Sequence, residues 1–363
     1  MLRWRKQYNF VKRLTMSSNY ILGLESSCDE TAAAIVLNGT EVISSTIASQ
    51  VDLHAKYGGV VPEIAARAHI ENIIPVLQET FDKAGIEKKD ISAVAVANCP
   101  GLKPALHIGV AAAKTLSFCW GVPLIAVNHV HCHIQAVLLE DAKQAYPAVA
   151  LVVSGGHTSL YKCTTPLDLK LIGQTIDDAA GEAFDKVAQI LQLPYPGGPH
   201  IERIAKEGDP KAITFPRSML DRENFDFSFS GLKTSVLYHC HGKNMAGKNR
   251  VPDMSKQEVA DIAASFQAAV IDVLCKKTVK AAKKNRSRTV LLGGGVACNN
   301  ALREALQLAC DDANLELLVS PKKYCTDNAA MIAGLGWHKF KAGLFASLAL
   351  QPNAGHDLLL THH

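Results

Sequence analysis

Two stretches of this chain, 128 residues apart, are built to one plan, and that repetition limits the folds open to it. Residues 20–25 form a short apolar run that ends in the polar turn SSCDET at 26–31. Apolar residues return at 32–37, and a third run follows Asn38 and Gly39. Residues 148–153 lead likewise into the turn SGGHT at 154–158, then into runs at 159–163 and 169–176. Short apolar runs bounded by Gly, Ser, Asp and Thr read as strands. One strand–turn–strand plan found twice predicts a duplicated lobe, although two unrelated hairpins would leave the same trace.

Helical patterns follow each unit. After the first, 61–77 and 79–84 read as helices, 91–97 as a strand, 105–120 as a helix and 123–127 as a strand. Asn128 then reads as the cap of a helix reaching residue 141. After the second, 177–191, 256–284, 299–311 and 327–342 read as helices, with strands at 289–292 and 315–320. Pro194 to Pro199 reads as a rigid turn and 241–250 as a loop. Alternating strands and helices predict an α/β fold in two lobes. The expected boundaries are a leader at 1–18, a first lobe at 19–146, a second at 147–345 and a tail at 346–363. The last helix is a candidate to pack back on the first lobe.

The charge is informative once divided. Residues 1–24 carry Arg3, Arg5, Lys6, Lys12 and Arg13, with no acid before Glu25. A basic, acid-free leader suits an organelle transit peptide, though a frayed tail reads alike. Without those five, 33 basic residues face 34 acidic ones, so any nucleic-acid contact needs a local patch. Lys276, Lys277, Lys280, Lys283, Lys284, Arg286 and Arg288 form one such stripe, which reads equally as a solvated helix end. No apolar run reaches eighteen residues, so no membrane-spanning helix is expected. Ten cysteines without a CxxC pair read as reduced, mostly buried thiols.

The polar turns at 26–31 and 154–158 read as phosphate cradles, and glycine-bearing turns add to them. Gly155 and Gly156 let backbone N–H groups approach an anion, with Ser154 and Thr158 as hydroxyl donors. The run Gly293, Gly294, Gly295 between a strand and a helix offers the same, and no GxxxxGK[ST] loop occurs. Asp185 and the turn at Gly197 and Gly198 could meet ribose hydroxyls. Asp177, Asp178, Glu182 and Asp185 read as an acidic helical face, usually a solvated one. The segment HVHCH at 129–133 brings His129 and His133, at i and i+4, to one helix face, with His131 pointing elsewhere. Asp327, at a helix start, is the best third ligand. Packed histidines remain the plain alternative. No HExxH is present, which counts against a zinc peptidase. Asp29 and Glu30 stand on the first polar turn and are candidates for proton transfer.

These residues resemble, in order along 20–345, the tRNA adenosine threonylcarbamoyltransferases, once described as sialoglycoprotein endopeptidases. The carriers are ESSCDET at 25–31, HAKYGGVVPEIAAR at 54–67, PGL at 100–102, HVHCH at 129–133 and VSGGHT at 153–158. Further carriers are IDDAAGEAFDK at 176–186, YPGGP at 195–199, DFSFSGLK at 226–233, GGVACN at 294–299 and CTDN at 325–328. The resemblance implies two duplicated lobes of the actin, sugar kinase and heat-shock ATPase type with a central cleft. It implies transfer of the threonylcarbamoyl group from threonylcarbamoyl-AMP to N6 of adenosine 37 in tRNAs reading ANN codons. His129, His133 and Asp327 would hold one divalent metal per subunit, iron or zinc, with magnesium possible. Val152, Val153, Ser154, Gly155, Gly156, Asp185, Gly198 and Asn299 would line the adenylate site, with Glu30, or Asp29, as base.

The SSCDET form resembles the bacterial and organellar branch. With the leader, it implies a mitochondrial homodimer supplied by a threonylcarbamoyl-AMP synthase. Asn98 and Cys99 before Pro100, and His131 and Cys132 within HVHCH, depart from the family pattern without removing a ligand. A metal-dependent glycoprotein endopeptidase, a kinase or ATPase of the same fold, and a non-catalytic tRNA-binding scaffold are the competing readings.

Overall fold

The computed structural model describes residues 18–141, 144–220, 222–242 and 249–355. The leader up to residue 17, most of the 241–250 loop and the end of the tail lie outside the described residues. The chain divides into two compact units. The first takes residues up to 54, 60–144 and 327 onward; the second takes 55–59 and 145–326.

The first unit holds β1 (Tyr20–Glu25), β2 (Glu30–Leu37), β3 (Glu41–Ser49), β4 (Ile91–Cys99) and β5 (Leu124–Asn128) in one sheet of order β3-β2-β1-β4-β5. β1, β2 and β3 are antiparallel, whereas β4 pairs in parallel with β1 and β5. Parallel neighbours need crossovers. The helices α1 (Val51–Ala55), α2 (Pro62–Ala84) and α3 (Lys103–Trp120) lie in those connections. Proline opens both α2 and α3, where its missing N–H costs nothing. Gly85 and Gly121, each at φ 63°, end them in the left-handed conformation. The short helix α4 (His129–Gln135) follows β5 directly.

The second unit repeats this wiring. β6 (Ala148–Val153), β7 (Thr158–Cys163), β8 (Leu169–Gln174), β9 (Thr289–Gly293) and β10 (Glu316–Val319) pair in the order β10-β9-β6-β7-β8. The hairpin strands β6, β7 and β8 are antiparallel, and β9 pairs in parallel with β6 and β10. Read from the first strand of each unit outward, the two orders are the same. The helices are α5 (Ala180–Ile190), α6 (Gly197–Ala205), α7 (Ser230–His241), α8 (Lys256–Lys284) and α9 (Asn300–Asp311). A reciprocal capping box of Ser255 and Glu258 starts α8. Apolar clusters form around Leu22, Val94 and Val110 in the first unit and around Phe184, Phe266 and Leu292 in the second.

The closing helix α10 (Ala329–Lys341) packs on the first sheet, against β1, β2, β4 and β5. Small residues allow it. A Cβ on Gly23 would sit 2.3 Å from the Ala329 carbonyl oxygen, and one on Gly336 would sit 2.5 Å from the Ala95 Cβ.

Several boundaries differ from those read in the sequence. The two helices expected over 61–84 are one. The helix after Asn128 ends at Gln135 and tightens into a 3-10 turn, Ala136–Leu138. The segment 177–191 is helical only from Ala180, because Asp177 and Asp178 turn back to other partners. The rigid turn at 194–199 passes into α6 at Gly197, and α7 has no counterpart in the sequence reading. None of the ten cysteines is in a disulfide, and seven are buried.

Candidate metal centre and glycine cradle

The first constellation lies within the first unit. Asn128, the last residue of β5, accepts hydrogen bonds from the backbone N–H of Val130 (2.9 Å) and His131 (3.2 Å). That cap starts α4 at His129 and so fixes the phase of the helix. His129 and His133 then share a face, with ring centroids 4.8 Å apart and planes at 85°. Asp327, just before α10, brings Oδ1 within 3.3 Å of Nε2 on both rings. The three candidate ligand atoms lie within 4.8 Å of one another. His131 is not in the cluster.

Glu25 completes this arrangement. Its side chain is fully buried, and its Oε2 lies 2.8 Å from Nδ1 of His129. The Ser27 N–H holds the other oxygen at 2.5 Å. A carboxylate there holds the proton on Nδ1, so Nε2, facing Asp327 and His133, is the nitrogen that a bound ion would take. Burial alone would lower the His129 pKa, but the Glu25 and Asp327 carboxylates carry it well above its ordinary value. At His133 burial wins and the pKa falls. Asp327 is held well below the usual carboxylate range, against its burial, by the two imidazoles. Both ring nitrogens of His133 are buried without a hydrogen bond of acceptable direction. Leaving polar atoms in that condition is costly, and an electron-pair acceptor beside Asp327 would satisfy Nε2. Two imidazoles and one carboxylate therefore fit a divalent metal ion.

The turn at 26–31 is pinned from below. His69, fully buried on α2, lies 2.7 Å from the Thr31 hydroxyl through Nδ1 and donates from Nε2 to the Cys28 carbonyl at 3.0 Å. Ser26 donates its hydroxyl to the Ala105 carbonyl and accepts from the Gly109 N–H. These groups are satisfied inside the unit, so the first turn is not the open anion cradle its composition suggests. Asp29 is 9 % exposed, while Glu30 is half-buried. Burial, then Asp327 and Asp29, push the Glu30 carboxyl up to about 10.

The second constellation lies within the second unit, around the start of α5. The Gly181 N–H donates to the Ser154 carbonyl (3.2 Å) and the Glu182 N–H to that of Gly155 (3.1 Å). Ala180 donates to the Thr158 hydroxyl at 2.8 Å. Asp185 accepts from the Gly197 N–H at 2.7 Å, which ties the start of α6 to α5. A Cβ on Gly294 would sit 2.3 Å from the Val153 carbonyl, so the β9 turn presses on the end of β6. Around this packed centre, Gly155, Gly156, Gly198 and Gly295 have nothing within 4 Å of where a Cβ would stand. Bare backbone facing open space at four positions suits the close approach of a phosphate-bearing ligand.

Three expected lining residues play different parts. Val152 and Val153 are fully buried at the end of β6, the central strand of the second sheet. Asn299 is 7 % exposed; its carbonyl caps α9 at Leu302 (2.9 Å) and its amide donates to Gln267 (2.8 Å). The acidic face read at 177–185 is not one face. Asp177 accepts from the Ser228 and Ser230 hydroxyls and the Phe229 and Ser230 N–H groups, capping α7. Asp178 pairs with Lys186 (2.8 Å) and Lys233 (3.1 Å).

A profile of the tRNA N6-adenosine threonylcarbamoyltransferases matches residues 41–334. A relative of that name from Moorella thermoacetica is 51% identical over 352 residues, 96% of this chain and 99% of its own length. Another, from Rhodopirellula baltica, is 49% identical over 352 residues, 94% of this chain and 98% of its own.

The chain belongs to this family.

It is a transferase that forms threonylcarbamoyladenosine on tRNA. Solved structures extend the likeness at the level of fold. The activator component A of (R)-2-hydroxyglutaryl-CoA dehydratase from Acidaminococcus fermentans matches at a TM-score of 0.52 and 15% identity, over 89% of this chain and 99% of its own. Full-length HypF with phosphate and nucleotide matches at 0.58 and 13%, over 90% of this chain and 47% of its own. Both share the duplicated two-lobe architecture of the actin and sugar kinase type.

Proposed function

We propose that the transferase takes its acyl group from threonylcarbamoyl-AMP and delivers it to N6 of adenosine 37 in tRNAs that read ANN codons. The open glycine cradle around α5 carries this reading, because four bare backbone positions face space where an adenylate could lie. Backbone N–H groups at Gly155 and Gly156 orient the mixed anhydride and offset the charge that grows as AMP departs, while the Ser154 N–H holds the turn closed on the His157 carbonyl. Asp185 meets the ribose, while Gly198 and the segment ending at Asn299 shape the base end.

His129, His133 and Asp327 hold one divalent ion, for which two nitrogens favour iron or zinc over magnesium. The ion supplies Lewis-acid charge for the acyl transfer when bound. Glu30, with Asp29 as the alternative, removes the proton from the attacking amine. In the metal-free chain Glu30 keeps its own proton, and a nearby cation favours the carboxylate form a base needs. Unchanged single-turnover transfer in Glu30→Gln would eliminate that role.

The leader and the SSCDET turn support a mitochondrial enzyme that receives its substrate from a threonylcarbamoyl-AMP synthase. They also support a homodimer. Ile74 (69 % exposed) shares a shallow groove with Leu116 and Trp120, and Phe118 on α3 is 73 % exposed; both suit a partner surface. The functional test is incubation with threonylcarbamoyl-AMP and unmodified tRNA, followed by nucleoside analysis. Sedimentation of the purified chain tests the dimer.

A further inference from the structure

The basic stripe at the end of α8 is not absorbed by either constellation. Six of its seven cations, Lys276, Lys280, Lys283, Lys284, Arg286 and Arg288, are exposed. Lys277 is not part of the surface: it is 1 % exposed, and its ammonium donates to the Asn224 and Asp226 carbonyls. That buried lysine binds the 222–227 segment to α8. Lys280 donates to the Arg222 carbonyl at 3.0 Å, and Lys284 lies 5.4 Å from the Phe225 ring centroid. Exposed Arg222 is thereby held on the same face.

The helix dipole explains only part of this. Its pull on cations fades within the last turn, whereas Lys276 lies eight residues before the end of α8 at Lys284. Lys276, Lys280 and Lys284 are spaced i, i+4 and i+8, so they rise along one face by about 6 Å per step. Their neutralisation is slight. Asp272 is 4.0 Å from Lys276 and is already bonded to Arg217 at 3.1 Å. Among the described residues no other carboxylate lies within ion-pair distance of the stripe, with Glu223 the exposed acid next to Arg222. A membrane-binding face would interleave apolar side chains. From 249 to 307, no large apolar side chain is exposed among the described residues.

We propose that the face formed by Arg222, Lys276, Lys280, Lys284 and the Lys283–Arg286 corner is the docking surface for the tRNA phosphate backbone. It rests on the family's action on tRNA and adds where the RNA is gripped. Counterion release from such contacts makes binding steeply salt-dependent. Sequence is not read here; the lysines position the RNA, and the chemistry selects the base.

The test is the variant Lys276→Gln/Lys280→Gln/Lys284→Gln, titrated against labelled unmodified tRNA by fluorescence anisotropy at several salt concentrations. Kd is expected to rise about tenfold or more, and the slope of log Kd against log salt to fall by about 2–3. The Lys→Arg triple is expected to bind as the parent does, and AMP binding by calorimetry to be unchanged in both. Equal Kd and slope in the Gln triple would overturn the surface. So would selective loss of binding to phosphatidylserine vesicles with tRNA binding intact, which would assign the face to a membrane. A parent chain that binds tRNA through these lysines yet forms no threonylcarbamoyladenosine would instead overturn the proposed reaction and leave the surface standing.

Discussion

At the scale of single residues, the first-unit cluster depends on a side chain outside the ligand set. Glu25 aims His129 through the Nδ1 proton, and a neutral amide in its place would hold the ring with less basicity. Glu25→Gln is expected to weaken metal binding by about 10–100-fold in competition with a chromophoric chelator, with helical content unchanged. His133→Ala is expected to abolish stoichiometric metal by elemental analysis; retention of one ion per chain would refute the ligand set. Glu30 gives a pH signature in the metal-free protein. Its folded pKa, about 10, is raised above the ordinary carboxyl value, so the folded chain keeps a proton that the unfolded chain has lost. Its contribution to stability is therefore complete below the ordinary carboxyl range and is lost as pH rises toward 10. Thermal midpoints should fall more steeply between pH 5 and pH 9 for the parent than for Glu30→Gln, and parallel profiles would contradict this. The pair His129 and His133 was legible because HVHCH is local. Glu25 was not, since nothing in a strand ending in an acid says that a histidine 104 residues later will lie against it.

At the scale of elements, two kinds of glycine separate structure from ligand binding. A Cβ on Gly181 would meet the Ser154 carbonyl at 2.5 Å, and Gly294 sits at φ 95° with Val153 2.3 Å away. Gly294→Ala should therefore cost about 1–3 kcal/mol from backbone strain alone and lower the unfolding midpoint. Gly155 and Gly198 face open space, so Gly155→Val and Gly198→Val should melt within about 2 °C of the parent yet lose AMP affinity in calorimetry. A destabilised Gly155→Val, or one that binds AMP normally, would remove the cradle as the adenylate site. Long periodic elements were read well: α8 runs from Lys256 to Lys284 as its pattern predicts. The misreadings sit where side chains far along the chain compete for local ones. Asp177 leaves the start of α5 to cap α7, about 50 residues on, and the weak amphipathicity of 230–241 gave no sign of the helix it caps.

At the scale of the whole molecule, the duplication was the most legible property, because each hairpin carries its own turn signals. The two sheets have one strand order, which a pair of unrelated hairpins would not produce. The last helix is less legible in sequence: α10 is apolar on most sides, which says that it is buried but not against what. Its seat depends on Gly23, where any side chain would strike the Ala329 carbonyl. Gly23→Val should unseat α10 from β1, lower solubility and move Asp327 away from the histidines, so that metal content and thermal stability fall together. A stable Gly23→Val chain with full metal would show that this packing does not set the cluster.

The most direct measurement is a single-turnover assay with purified chain, threonylcarbamoyl-AMP and unmodified tRNA, read by mass spectrometry of the nucleosides. The expected result is threonylcarbamoyladenosine approaching one per tRNA, lost on removing metal and restored by adding iron or zinc. Folded, metal-loaded protein that yields no modified nucleoside, or equal yield with and without metal, would contradict the account.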